Sequence, residues 1–428
     1  MNDQNGPFGK CNAGNTRRLN AVAVSLAIAF ALTFLTTEPL RAQAFTVLHY
    51  FTGGSDGGSP TAGVTLSGSG TLFGTTAGAG YSFGTVFKMT EKGAGWTFSP
   101  LYEFTGNPDG AYPLAGVVVG ADGALYGTTS SGGYGVGTIF EVRPPATACK
   151  TAICYWNETV LHAFTGNVGD GGHPEYGNVT FDQAGNIYGT TELFGASHCG
   201  VVWELARSGD TWTESVLYNF AGKPDGCNPF SGVIFDATGN LYGNTAFGGN
   251  GTGTIYQLVP SSGNWMEHIL DNLNGTTGVT PTGSLTMDQS GNLYGTGLNN
   301  GPNGGGTVFE LSASRGWALS LVYAFASCQP AAGVTVGPNG SLYGACQVGG
   351  AFGYGWVFEM PPNCNQTCQP TDLHDFDGSD GAYAAGPVVF DASGNLYGTT
   401  YGGGNMEEGC DVEGCGVVWE IAGVGARH

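Results

Sequence analysis

Short runs of β-branched and aromatic residues alternate along the chain with glycine-rich polar turns, a pattern that predicts many short strands and not helices. One phrase carries the rhythm. It reads TLFGTT at 71–76, ALYGTT at 124–129, NIYGTT at 186–191, NLYGNT at 240–245, NLYGTG at 292–297, SLYGAC at 341–346 and NLYGTT at 395–400. Its glycines, Gly74, Gly127, Gly189, Gly243, Gly295, Gly344 and Gly398, stand 49 to 62 residues apart. A repeat of that length, seven times over, defines an array of seven like units.

Each unit reads as four strands. A short apolar run such as Gly116–Val119 comes first, then an Asp/Asn-Gly turn of the kind that supplies φ > 0, then the LYGTT strand. A glycine-rich loop leads to a third strand, for example Gly137-Thr-Ile-Phe140, and a fourth follows, for example WTESVLYNF at 212–220. Only six fourth strands lie inside the array, because the seventh unit stops near Ile421. The missing strand is Phe45–Phe51. Pairing it with the last unit would remove both sheet edges, whereas an open solenoid would want terminal caps. The expected fold is therefore all-β: a seven-bladed β-propeller of four-stranded blades, its ring closed by the N-terminal strand completing the last blade.

The LYGTT phrases, the GTVFEL-like strands and the FTG-xxDG-xxP-xAG loops, such as Phe104 to Gly116, resemble the GloVer tandem repeat of the "choice-of-anchor" family of exported bacterial proteins. The resemblance implies a propeller-like exported protein and no particular activity. The end at Gly423–His428 departs from the family, having no sorting anchor.

Residues 1–44 read as a secretory signal: Arg17 and Arg18, the apolar run Ala21–Leu35, and an Ala42-Gln43-Ala44 ending. The expected mature protein is one propeller domain, 45–428, with no transmembrane segment, secreted or periplasmic and monomeric. Ten cysteines remain after the signal: Cys149, Cys154, Cys199, Cys227, Cys328, Cys346, Cys364, Cys368, Cys410 and Cys415. An even set in an exported chain reads as disulfides. Cys149/Cys154, Cys364/Cys368 and Cys410/Cys415 look like single-loop staples, and Cys199/Cys227 and Cys328/Cys346 fall on one face, where each pair can bridge.

A net charge of -21 repels phosphate backbones and anionic lipid, so nucleic acid is not an expected partner. Neutral carbohydrate, a protein or a cation fits that field better. No HExxH, Walker or complete EF-hand signature occurs.

Loops after strands two and four share one face. They carry Asp56, Asp109, Asp170, Asp225 and Asp380, which read either as an acidic arc for cations or polar ligands or, more plainly, as Asp-Gly turn chemistry. Tyr134, Tyr176, Phe194, Phe352 and Tyr401 lie there too and suit sugar or peptide contacts, or packing of the loops themselves. In blade three, His173, Glu175, Glu192 and His198 break the repeat. They are the candidates for an acid–base pair, and His173 and His198 for a metal site. No cofactor is expected, a divalent cation being the one candidate. The leading function is an exported binding or scaffolding module for polysaccharide or peptide. The alternatives are a secreted glycan-active lyase or hydrolase using blade three, or a structural envelope protein without a ligand.

Overall fold

The computed structural model describes residues 44–78, 82–93, 95–146, 154–384, 386–406, 410 and 413–425. The proposed signal segment up to residue 43, and Cys149, lie outside them. The chain forms seven four-stranded antiparallel sheets set as blades in a ring, a β-propeller. The seventh sheet is made from both ends of the described chain. Its inner strands are Val389–Phe390, Leu396–Thr400 and Val417–Ala422, and its outer strand is Ala44–Tyr50, antiparallel to Val417–Ala422 from Ala44↔Ala422 to Tyr50↔Val417.

The LYGTT phrase is strand two of every blade, and each of its positions has a mechanical reason. The glycine lies opposite the aromatic residue of strand three, as in Gly74↔Phe87, Gly189↔Trp203 and Gly398↔Trp419. A methyl group at any of these glycines would overlap that ring, so only a hydrogen fits. The first threonine reaches the neighbouring blade: Thr75 donates to Ala115 O (2.8 Å), Thr190 to Ser231 O (2.8 Å) and Thr399 to Ala62 O (2.7 Å). The second pairs with the threonine that opens strand three, Thr129 with Thr138 at 2.8 Å and Thr245 with Thr254 at 2.7 Å. The tyrosine hydroxyl is held by the turn aspartate and the strand-three glutamate, as Tyr126 is by Asp122 (2.9 Å) and Glu141 (2.6 Å) and Tyr188 by Glu204 (2.8 Å). The recurrent glutamates thus belong to the scaffold.

The apolar core is divided among the blade junctions. Trp203 of blade three packs on Tyr126 and Phe164 of blade two, and Tyr256 of blade four on Phe220 of blade three, each ring fully or almost fully buried. A β-bulge interrupts every ladder between strands three and four, for instance at Val202/Trp203 and Ile139/Phe140. The extra residue reverses the side-chain alternation within strand four. Glu214, before the bulge, therefore faces the preceding blade, and Tyr218, after it, faces the following one.

Four disulfides join Cys199–Cys227, Cys328–Cys346, Cys364–Cys368 and Cys410–Cys415, with Cα separations of 4.4, 5.2, 5.2 and 4.9 Å. These are the expected pairs, and Cys154 is also disulfide-bonded. Disulfides in such number fit a protein exported to an oxidising compartment. Among the described residues no helix is long and apolar enough to cross a membrane.

Candidate functional site

The segments that precede each first strand run close to one another at the centre of the ring. Gly63 lies against Pro387 O, Gly177 against the Gly232 backbone and Gly283 against that of Gly333, approaches too tight for any side chain. Around them opens a cavity of ≈ 370 Å³. Its wall is mostly small and apolar, with Ala62, Gly283, Leu298, Ala332 and Pro387. Tyr176 of blade three, Tyr401 of blade seven, Asn178 and Gln347 supply the larger polar groups.

These groups are positioned, not loose. Gln347 donates its side-chain amide to the Tyr401 hydroxyl (3.3 Å), and Tyr401 stacks on Tyr383 with ring centroids 5.4 Å apart. Asn178 accepts the Gly116 N–H through its amide oxygen (2.8 Å). No lysine, arginine or histidine lines the cavity among the described residues. The volume falls within the range of small-ligand sites, and the chemistry is a neutral one.

Blade three adds carboxyl groups beside Tyr176. A two-residue ladder, Gly171–Gly172 against Leu193–Phe194, ties the loop after blade two to the glycine-rich loop of blade three. It brings His173 and Glu192 together, with Glu192 N–H donating to His173 O (2.9 Å). Burial, reinforced by the charge of Glu192, pushes the Glu175 carboxyl up to about 7. Burial also raises Glu192, against the opposing Asn228 hydrogen bond and the nearby His173. The Tyr176 hydroxyl is pushed up by burial and then by Glu175, Glu192 and Tyr401 in turn, so these four groups share one electrostatic neighbourhood. His198 stands apart. It lies edge-on to Phe194 at 6.2 Å, while His173 stacks on the same ring at 5.8 Å. The four blade-three candidates do not form a set of three donors within 4.8 Å of one another; among the described residues only His162, Asp170 and Glu214 do.

The five loop aspartates serve their own turns. Asp109 accepts Thr105 N–H (3.0 Å) and Oγ1 (2.8 Å), Asp170 does the same with Thr165 (2.8 and 2.9 Å), and Asp56 accepts Thr52 N–H (3.0 Å). Asp225 takes Ala221 N–H (2.7 Å) and Asp380 takes Asp377 N–H (2.9 Å). Asp109 and Asp170 are buried, so this set is not an open acidic arc at those two positions. Of the loop aromatics, Tyr176 and Tyr401 reach the cavity wall, Phe194 packs over Gly166 and Gly172, and Tyr134 and Phe352 project into solvent. Asn178 and Gln347 escape sequence reasoning because they belong to no repeated phrase. Their one signal is position: next to the inter-blade glycines in one case, directly after the LYGAC strand in the other.

Solved structures with a similar backbone match at low identity. The extracellular domain of a candidate one-component system from B. thetaiotaomicron aligns at TM-score 0.53 and 11% identity, over 88% of this chain and 40% of that one. A candidate 6-phosphogluconolactonase from Bacteroides uniformis ATCC 8492 aligns at 0.47 and 14%, over 74% and 84%. A gluconolactonase from Xanthomonas campestris aligns at 0.42 and 13%, over 89% and 90%. At such identities the likeness speaks to the fold alone. A search of the curated proteins finds no match. The profile of the Gloeobacter/Verrucomicrobia repeat matches residues 33–158 and 153–335. With most of its length so matched, the chain belongs to the Gloeobacter/Verrucomicrobia repeat family.

Proposed function

We propose that this protein is an exported binding module that takes a neutral carbohydrate at the central cavity. The observation that carries the reading is the cavity wall itself: two tyrosines and two amides on a small apolar surface, without a fixed charge. Tyrosine offers a flat apolar face and a hydroxyl at its edge, which suits a sugar ring. The net charge of -21 argues against acidic glycans and leaves neutral ones unaffected. Calorimetric titration of the purified chain with neutral oligosaccharides and with uronic-acid oligosaccharides tests it. Binding of a neutral series, reduced at least tenfold by Tyr401→Ala or Tyr176→Ala, supports the reading. Equal binding by both variants, or none by the parent, removes it.

One observation favours a second reading, a glycan-cleaving enzyme. Glu175, held near 7 by burial and by Glu192, has the protonation of a general acid at neutral pH beside a second carboxyl group. Release of new reducing ends from a neutral polysaccharide, abolished by Glu175→Gln, would convert the binding module into an enzyme.

A further inference from the structure

Away from the cavity, five of the seven blade junctions place three side chains together. They are the post-bulge residue of one strand four, the aspartate of the loop after it, and the pre-bulge residue of the next strand four. Between blades one and two these are Tyr102, Asp109 and Glu158, with the phenol donating to Asp109 (2.7 Å). Between blades three and four they are Tyr218, Asp225 and Glu267, and the phenol lies 3.2 Å from Asp225 and 3.3 Å from Glu267. Between blades seven and one they are His49, Asp56 and Phe98, the rings stacked at 4.1 Å. Between six and seven they are His374, Asp380 and Phe45, stacked at 3.5 Å. Tyrosine thus accompanies glutamate, and histidine accompanies phenylalanine.

The junction of blades two and three breaks this rule. There His162 meets both Asp170 and Glu214, and one donor atom from each lies within 4.8 Å of the other two. His162 Nε2 is 3.4 Å from Asp170 Oδ1. Two donors bound at about 2.0–2.2 Å to one tetrahedral zinc ion stand roughly that far apart. Asp170 is nine-tenths buried and already oriented. Thr165 N–H and Oγ1 hold its Oδ2 (2.8 and 2.9 Å) and Gly171 N–H its Oδ1 (2.8 Å), an outer shell of the kind that fixes a ligating carboxylate. Glu214 Oε1 is buried without a hydrogen-bond partner, as Glu158 Oε1 and Glu267 Oε1 are in the sister junctions; what sets this junction apart is an imidazole nitrogen where the sisters carry a phenol. A lone-pair oxygen without a donor, an imidazole nitrogen and a clamped carboxylate form a set of ligand atoms short of a cation.

We propose that the junction of blades two and three is a divalent-metal site with His162, Asp170 and Glu214 as its protein ligands. One imidazole and two carboxylates suit Zn²⁺ first, and Mn²⁺ next. The site is a clamp between two blades, linking the loop after one strand four to the next strand four.

The sister junctions supply the control substitutions, since the fold already accommodates their chemistry. His162→Tyr recreates the tyrosine–glutamate pair and Glu214→Phe the histidine–phenylalanine pair. Tag-free protein, stripped with chelator and titrated with ZnCl₂, is expected to bind one equivalent and to melt at a higher temperature when loaded. Each variant is expected to melt cooperatively and to lose that equivalent, its affinity falling by on the order of a hundredfold. If the parent chain takes up no zinc or manganese, or if both folded variants bind as it does, the proposal fails. In that case Glu214 is satisfied by a proton, as a half-buried glutamic acid.

Discussion

Two arcs of the ring solve the same packing problem with opposite chemistry. From blade one to blade four, the pre-bulge glutamates Glu158, Glu214 and Glu267 press against loop aspartates across the junction. From blade six round to blade one, Phe45 and Phe98 occupy that position and stack on His374 and His49. The aspartate is common to both arcs and caps the same loop in each. The difference lies in what must be true of solvent and pH for the junction to be comfortable. A ring-on-ring contact draws on apolar burial and sets no second carboxyl group against the aspartate. Two half-buried carboxyl groups are comfortable when one of them is neutral.

The largest expected effect comes from the aromatic arc. Phe98→Ala removes the ring that stacks on His49 and touches Phe51 and Phe87 at 5.8 and 5.3 Å. It is expected to cost about 3 kcal/mol, read as a lower urea midpoint with unchanged slope. A cost under about 1 kcal/mol would show that the aromatic arc does not depend on its rings.

Next comes pH. Burial first, and then Asp109, raises Glu158 to about 7; burial, and then Asp225, raises Glu267 to about 8, against an unfolded value of 4.5. The groups facing them are Asp109 with Tyr102 and Asp225 with Tyr218. Over that interval the native state holds more protons than the unfolded state, so stability falls as pH rises. The contribution is complete below pH 4.5 and is lost through about pH 7 to 8. After discounting for solvent screening, about 1 kcal/mol is expected from each glutamate. Thermal melts of the parent chain from pH 5 to 9 should slope downward, and the Glu158→Gln/Glu267→Gln double variant should flatten the slope. An unchanged slope would place the titration elsewhere.

A smaller effect separates the hydroxyl from the ring. Tyr102→Phe keeps the packing and deletes the bond to Asp109, at an expected cost of about 1–2 kcal/mol by chemical denaturation. The smallest is Tyr134→Ala. Tyr134 is 75% exposed, and its removal should stay within about 0.5 kcal/mol while leaving any cavity ligand bound as before.

Most of the fold was legible because a propeller blade repeats its constraints along with its sequence. The LYGTT glycine recurs since a strand-three ring covers it each time, and both long-range cysteine pairs followed from asking which loops share a face. The candidate site was legible only in part. Glu175 and Glu192 stood out as exceptions to the repeat and Tyr176 and Tyr401 as loop aromatics, but the proximity of the blade-three groups depends on the Gly171–Phe194 ladder, which joins loops of two different units. The junction glutamates were hidden for another reason. WNET, WTES and WMEH look like ordinary alternating strands, and nothing local says that the bulge a few residues on reverses which neighbour each side chain meets.

That reversal sets a grammar for how such a ring can lengthen by duplication. Each strand four presents one side chain backward and one forward, and a copied blade must suit its own twin. Blade three, with Glu214 behind and Tyr218 ahead, matches itself, and so does blade seven, with Phe45 and His49. Blade one, carrying Phe98 and Tyr102, does not. It is the adaptor that couples one dialect to the other, and a ring assembled from copies of it would set phenylalanine against tyrosine at every seam.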